Sequence, residues 1–243
     1  MSRGRSPAAF EEPQLPWREE DAGTLTLVRV VIAGGHGQVA RRLERLLVTA
    51  GDTAVGIVRN PDHVDDVQAV GAHTLLCDLE ATDLDALAAH LEGTDAVVFA
   101  AGAGPGSGIP RKRTVDRDAS VLMADAAERA GVRRFVQISS MGAGAPPRPG
   151  TDETFAAYLR AKTEAEEDLR RRDLDWTVLR PGGLTNAPGR GRVRLATSVP
   201  RGQISRDDVA AVIVGLLDHA RGIAQTLELV AGDTPIEQAL EQL

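Results

Sequence analysis

Cysteine, lysine and aromatic residues are all scarce in this chain. One cysteine, Cys77, in 243 residues rules out an intrachain disulfide. Nothing therefore ties the fold to an oxidising compartment. Cys77 ends the apolar run HTLLC and reads as a buried strand-end thiol, not a reactive one. Aromatic residues make up only 3%, so a core must be built from Val, Leu, Ile and Ala. No run approaches the roughly 18 apolar residues that a membrane span requires. Positive charge is outnumbered, 28 basic against 35 acidic residues for a net charge of −7, which argues against a general nucleic-acid binder. The first 25 residues lack a continuous apolar segment and are rich in Pro and charge, so a disordered tail is expected there, not a secretory signal. A cytoplasmic location is the default expectation. No metal and no membrane partner are expected; the partner is a small-molecule substrate, and pairing of two copies through helices is left open.

What is present is a regular alternation. Apolar, β-branched runs at 27–33, 53–58, 73–77, 95–102, 133–140, 176–180 and 226–231 read as strands. Between them lie helical patterns, including long ones at 114–131 and 153–173. Strands this uniformly apolar are covered on both faces. Parallel strands joined by helices predict an α/β fold, a doubly wound, mostly parallel Rossmann-type sheet with helices on both faces. It forms a single domain over 26–243, with a small substrate-side elaboration around 181–204.

The turn after the first strand reads Gly34-Gly35-His36-Gly37-Gln38-Val39-Ala40, a G-x-x-G-x-x-A pattern. Glycines there let the backbone turn tightly and approach a pyrophosphate. The helix that follows offers free N–H groups and the positive end of its dipole to the anion. His36 is either a phosphate contact or a passive loop residue. The end of the second strand bears on which dinucleotide binds. An acid there would hold the adenosine ribose 2′-OH, but the chain has Arg59-Asn60-Pro61. A guanidinium suits a 2′-phosphate, so NADP is favoured over NAD. Asp78 and Leu79, after the third strand, are placed near the adenine, although Asp78 could equally cap the next turn.

The only tyrosine, Tyr158, stands four residues before Lys162, one of two lysines; the other is Lys112. Four-residue spacing puts Tyr158 and Lys162 on one helix face. A free phenol titrates near ~10 and exchanges protons poorly at neutral pH. A neighbouring ammonium stabilises the phenolate, so the phenol can exchange a proton with a carbonyl or alcohol oxygen as hydride moves. A solvated lysine beside a half-buried tyrosine on a surface helix is the plainer alternative.

VVIAGGHGQVA, IVRNP, CDLE, VVFAAG, VDRDASVLMADAAERAGVRRFVQISS, the Tyr158–Lys162 pair, WTVLRPGGLTN and SRDDVAAVIVGLL together make the chain resemble the short-chain dehydrogenase/reductase superfamily. It resembles most its atypical, NmrA-like branch of NAD(P)H-binding proteins. The resemblance implies further roles. A serine at the end of the fifth strand anchors the substrate oxygen, with Ser139 and Ser140 as candidates and Ser140 preferred. Ser139 would then join the cofactor-binding set with Lys162, which holds the nicotinamide ribose. Ala100, Ala101 and Gly102 line the cofactor. Pro181, Gly182 and Gly183 pack near the nicotinamide, with Thr185 and Asn186 next to them. The helix 114–131 lacks the Asn that many catalysts of the superfamily carry. The expected function is an NADP-dependent reductase of a small carbonyl or quinone-like compound, with Tyr158, Lys162 and Ser140 catalytic. A redox-sensing NADP(H)-binding protein without turnover is the alternative, and a sugar-nucleotide epimerase or dehydratase is the less favoured third.

Overall fold

The computed structural model describes residues 28–104 and 106–243. The tail expected over 1–25 lies outside the described residues. The first βαβ unit is β1 (Arg29–Ala33), α1 (Gln38–Thr49) and β2 (Thr53–Val58), with β1 and β2 parallel. A short helix α2 (Val64–Gln68) leads to β3 (His73–Leu76). The chain then crosses back through α3 (Leu84–Leu91) to β4 (Ala96–Phe99), which pairs with the other side of β1. This reversal beside β1 creates the crevice at which such sheets bind ligands.

The second half runs through α4 (Ile109–Arg113), α5 (Ala119–Ala130), β5 (Arg134–Ile138), β6 (Met141–Gly144), α6 (Glu153–Leu169) and β7 (Asp175–Pro181). It ends with β8 (Gly183–Thr185), β9 (Arg192–Ala196), β10 (Gln203–Ser205), α7 (Arg206–Asp218), β11 (Gln225–Ala231), β12 (Thr234–Pro235) and α8 (Ile236–Glu241). The nine-stranded sheet has the order β12-β9-β11-β7-β5-β4-β1-β2-β3. It is parallel from β3 to β11; β9 and β12 are antiparallel additions at one edge.

The near-continuous apolar strands explain the two-sided core. In β1, Val30 and Ile32 enter the layer with Leu43 of α1 and Ile213 of α7, while Val31 and Ala33 enter the opposite layer with Leu87 of α3 and Met123 of α5. The alternation of side chains along a strand sends successive residues to opposite faces. The α/β class and doubly wound sheet expected from the sequence are those observed.

Three expectations need correction. The helix expected over 114–131 is already helical from Ile109 and is interrupted by a wide π turn at Thr114–Asp118 before α5. The helix expected to reach 173 ends at Leu169, because the N–H groups of Arg171 and Arg172 turn to carbonyls three residues back. The segment 181–204, expected to be loose, supplies β9 to the main sheet and a separate parallel pair, β8–β10.

Candidate functional site

The phosphate-binding turn is shaped by close backbone approach. Gly34 has φ +81°, and a Cβ there would meet Ala101 Cα at 2.7 Å. Gly35 lies against β2, where a Cβ would fall 2.6 Å from Gly56 Cα. Only glycine satisfies either contact. Gly37 is the N-cap of α1, no side chain caps that end, and no acid occupies its first turn. The free donors and the dipole therefore face outward to an anion. Ala40, at the third small position, is fully buried against the sheet.

On one side of this turn a cavity of about 260 Å³ is lined by Ile57, Arg59, Asn60, Asp78, Leu79 and Glu80, among others. Its shape and place at the ends of β2 and β3 suit an adenosine moiety. Half-buried Cys77 also lines it, and burial pushes its thiol pKa up. Arg59 donates to Glu80 at 2.9 Å. The same carboxylate takes Arg111 at 2.6 Å and the Thr114 hydroxyl at 2.6 Å. These donors, Arg111 foremost, hold the Glu80 carboxyl below the usual carboxylate range. The acid that meets Arg59 thus comes from beyond β3, not from the end of β2. His36 is engaged with its surroundings: its ring stacks on His63 at 3.6 Å, and its Nε2 lies 2.7 Å from Asp66. Asp78 accepts the backbone N–H of Glu80 at 3.0 Å, as a turn-capping residue would.

On the other side lies a cavity of about 810 Å³, within the size range of small-molecule sites. Gly37, Gln38 and Val39 line its phosphate end; Tyr158 and Lys162 line its far end. Both cavities share His36, Gly37, Ala100, Ala101 and Gly102, so they form one cleft across the carboxyl ends of β1 and β4. The glycine cradle, the uncapped helix start and this length fit a nicotinamide dinucleotide.

Tyr158 is half-buried, whereas Lys162 is only 3% exposed. Lys162 Nζ lies 5.9 Å from the Tyr158 ring centroid. It donates to the carbonyls of Ile138 at 3.2 Å and Ala101 at 3.4 Å, and Asp116 Oδ1 stands 3.4 Å away. Asp116 is fully buried on the wide turn, and its other oxygen accepts the Ala103 N–H at 3.2 Å. The helix that lacks the expected Asn therefore brings a carboxylate to the lysine instead.

The two serines part ways. Ser139 is buried, lines the larger cavity and donates to Glu166 at 2.5 Å. Glu166 also accepts Arg180 Nε at 2.9 Å and Arg170 at 2.7 Å. Ser140 is half-buried and does not line either cavity. Tyr158, Lys162 and Glu166 recur every four residues along α6, so one helix face carries all three, and Arg170 follows at the helix C-cap. Glu166 was absent from the expected site residues; the continued four-residue spacing was its signal. Pro181, Gly182 and Gly183 lie outside both cavity walls, and Gly182 packs on Gly202, where a Cβ would be 2.3 Å from its carbonyl oxygen. Leu184 and Arg206 line the wall instead. Thr185 donates to Ile204 at 3.5 Å, and Asn186 accepts from Arg206 at 3.0 Å.

Residues 34–220 match a family described as NAD(P)H-binding, and the chain belongs to it. The uncharacterized sugar epimerase YhfK of Bacillus subtilis is 36% identical, over 89% of this chain and all of its own length. A Bacillus halodurans structure whose proposed class is NAD-dependent epimerase/dehydratase superposes with a TM-score of 0.82 at 35% identity, covering 89% of this chain and 100% of its own. The oxidoreductase YlbE of Lactococcus lactis has a TM-score of 0.78 at 26% identity, covering 89% and 96% respectively. The chain is an NAD(P)H-binding, oxidoreductase-like protein with a Rossmann-type fold. Among the described residues no helix is long and apolar enough to cross a membrane.

Proposed function

We propose that the protein is an NADP-dependent reductase of a small carbonyl or quinone-like compound, on the NmrA-like side of its superfamily. The observation that carries this reading is the continuous cleft joining the glycine turn to the Tyr158–Lys162 pair. When bound there, the nicotinamide supplies a hydride. Tyr158 gives its phenolic proton to the substrate oxygen that gains negative charge. The Lys162 ammonium beside the ring favours the phenolate left behind. Ser139 is the serine on the cavity wall; Ser140, the sequence-based candidate for anchoring the substrate oxygen, follows β5 and lies outside both cavity walls. Ala101 and Ile138 hold Lys162 in place through their carbonyls. Phe155 and Leu184, 47% and 38% exposed, line the cavity and offer an apolar surface to the substrate body. Arg59 and Arg111 are the proposed partners of a 2′-phosphate.

A second reading, an epimerase or dehydratase that regenerates its cofactor in each cycle, draws on the names borne by the two Bacillus relatives. Net cofactor consumption separates the two. NADPH absorbance is followed with a panel of quinones and small aldehydes, using wild type and Tyr158→Phe. Steady NADPH oxidation by wild type, reduced at least about 100-fold in the variant, is the expected result. Tight NADPH binding without oxidation by any compound would count against the reductase, and an equally fast Tyr158→Phe enzyme against the acid/base role.

A further inference from the structure

Both lysines of the chain stand at the ring of its only tyrosine. Lys112 Nζ lies 5.7 Å from the Tyr158 ring centroid, and Lys162 Nζ 5.9 Å. The two cations are held differently. Lys162 has the Asp116 carboxylate beside it. Lys112 is 8% exposed and donates to the Gly104 carbonyl at 2.7 Å, and no carboxylate of the described residues forms an ion pair with it.

A buried ammonium is costly unless an opposite charge meets it. One carbonyl satisfies one of its three N–H donors, and the Tyr158 ring face meets its charge only weakly. The acids on the same cavity wall are already engaged. Asp116 faces Lys162, and Asp152 accepts the Phe155 N–H at 2.9 Å as the cap of α6. The neighbouring cation Arg206 is bonded to the neutral oxygen of Asn186. The substrate end of the cavity thus combines an unmatched cation with the apolar surfaces of Phe155, Leu184 and Ile138.

We propose that Lys112 is the anion anchor of the substrate subsite, and that the substrate is a carbonyl compound with an apolar, ring-sized body and a carboxylate. The carboxylate pairs with Lys112 while the oxygen to be protonated lies at the Tyr158 hydroxyl. This rests on the reading that substrate occupies the Tyr158 end of the cleft. The wide turn at Thr114–Asp118 directly follows α4, so the segment that carries Asp116 to Lys162 also carries Lys112 to Tyr158. The phosphate end of the cleft has its own donors on α1, so Lys112 is not needed for the cofactor.

The test uses the full chain saturated with NADP+ and measures benzoate and benzamide binding by calorimetry. Benzoate is expected to bind at least tenfold more tightly than benzamide. Lys112→Met abolishes that preference, Lys112→Arg keeps most of it, and neither variant changes the NADPH dissociation constant by more than about twofold, matching melting curves showing that both fold. Equal binding of the two probes, binding of neither, or a benzoate preference that survives Lys112→Met overturns the proposal. So does a large loss of NADPH affinity in Lys112→Met, which would assign the lysine to the cofactor. Turnover of 4-carboxybenzaldehyde is followed in parallel. A lysine-dependent benzoate preference without turnover of any carbonyl compound leaves the anion site standing and removes the reductase reading.

Discussion

Ser139 donates its hydroxyl hydrogen to Glu166 across 2.5 Å, with both side chains buried. The serine that lines the cleft is therefore committed to a carboxylate, which is also gripped by Arg180 and Arg170. This cluster ties the residue that follows β5 and the end of β7 to α6, one helical turn beyond Lys162. It holds the helix face that carries Tyr158 and Lys162 against the sheet.

Removing Glu166 leaves two guanidinium groups and a hydroxyl without their anion in a buried place. Glu166→Ala is expected to destabilise the fold by about 3–5 kcal/mol, and Ser139→Ala by about 1–3 kcal/mol. Ser140→Ala, by contrast, is expected to leave stability within about 0.5 kcal/mol and to lower kcat if Ser140 anchors the substrate oxygen. Urea unfolding of the three variants, with kcat measured on the same preparations, checks this. A stable Ser139→Ala enzyme with lost turnover would exchange the roles of the two serines.

How far the site could be read from sequence depended on how local each contact is. The glycine turn and the Tyr158–Lys162 pair are visible because neighbouring residues carry the whole geometry. Arg180, in the LRPG turn, could be seen, but its union with Glu166 joins a helix to the following strand. Glu80 reaches Arg111 across 31 positions, a meeting made only when the sheet folds. In the sequence Lys112 stands out only as one of two lysines. Its place at Tyr158 depends on a wide turn that no periodicity announces. The edge strands β9 and β12 are hidden for a related reason: their short segments look like loop until β11 pairs with β9 and β9 in turn with β12.

Glu44 on α1 is fully buried, and neither carboxyl oxygen has a hydrogen-bond partner. It sits where Cβ atoms on Gly35 and Gly56 would fall, 2.9 and 2.5 Å from its Oε1. Burial raises its pKa from 4.5 to about 8, only partly opposed by Arg41. Between those values the folded state holds a proton that the unfolded state releases. Stability contributed by this group therefore falls as pH rises from 4.5 towards 8, by up to about 1.4 kcal/mol per unit. Glu44→Gln removes that slope. Relative to wild type it is expected to gain about 1–3 kcal/mol at pH 8 over its standing at pH 5. Urea midpoints at the two pH values measure the gain; parallel curves for both proteins would show that Glu44 is ionised in the fold.

Arg59 and Glu80 meet at 2.9 Å on the rim of the adenosine cavity, with Arg111 completing the cluster. Two guanidinium groups, Arg59 and Arg111, and two carboxylates, Glu80 and Asp78, line the place where a ribose 2′-phosphate would lie. Glu80 lies beyond β3, not at the end of β2 where an acid would accept a ribose 2′-OH. There it occupies the cations that a phosphate would use. Glu80→Gln frees them and is expected to raise the NADPH-over-NADH affinity ratio about tenfold, equivalent to ~1.4 kcal/mol. Arg59→Ala is expected to lower it by a similar factor, since it removes a charge-assisted partner of the phosphate and nothing from NADH. Both dissociation constants are read by fluorescence titration of each protein at fixed ionic strength, because a phosphate contact weakens with salt. If Arg59→Ala weakens NADPH and NADH equally, the guanidinium supports the shape of the cavity and does not read the 2′-phosphate.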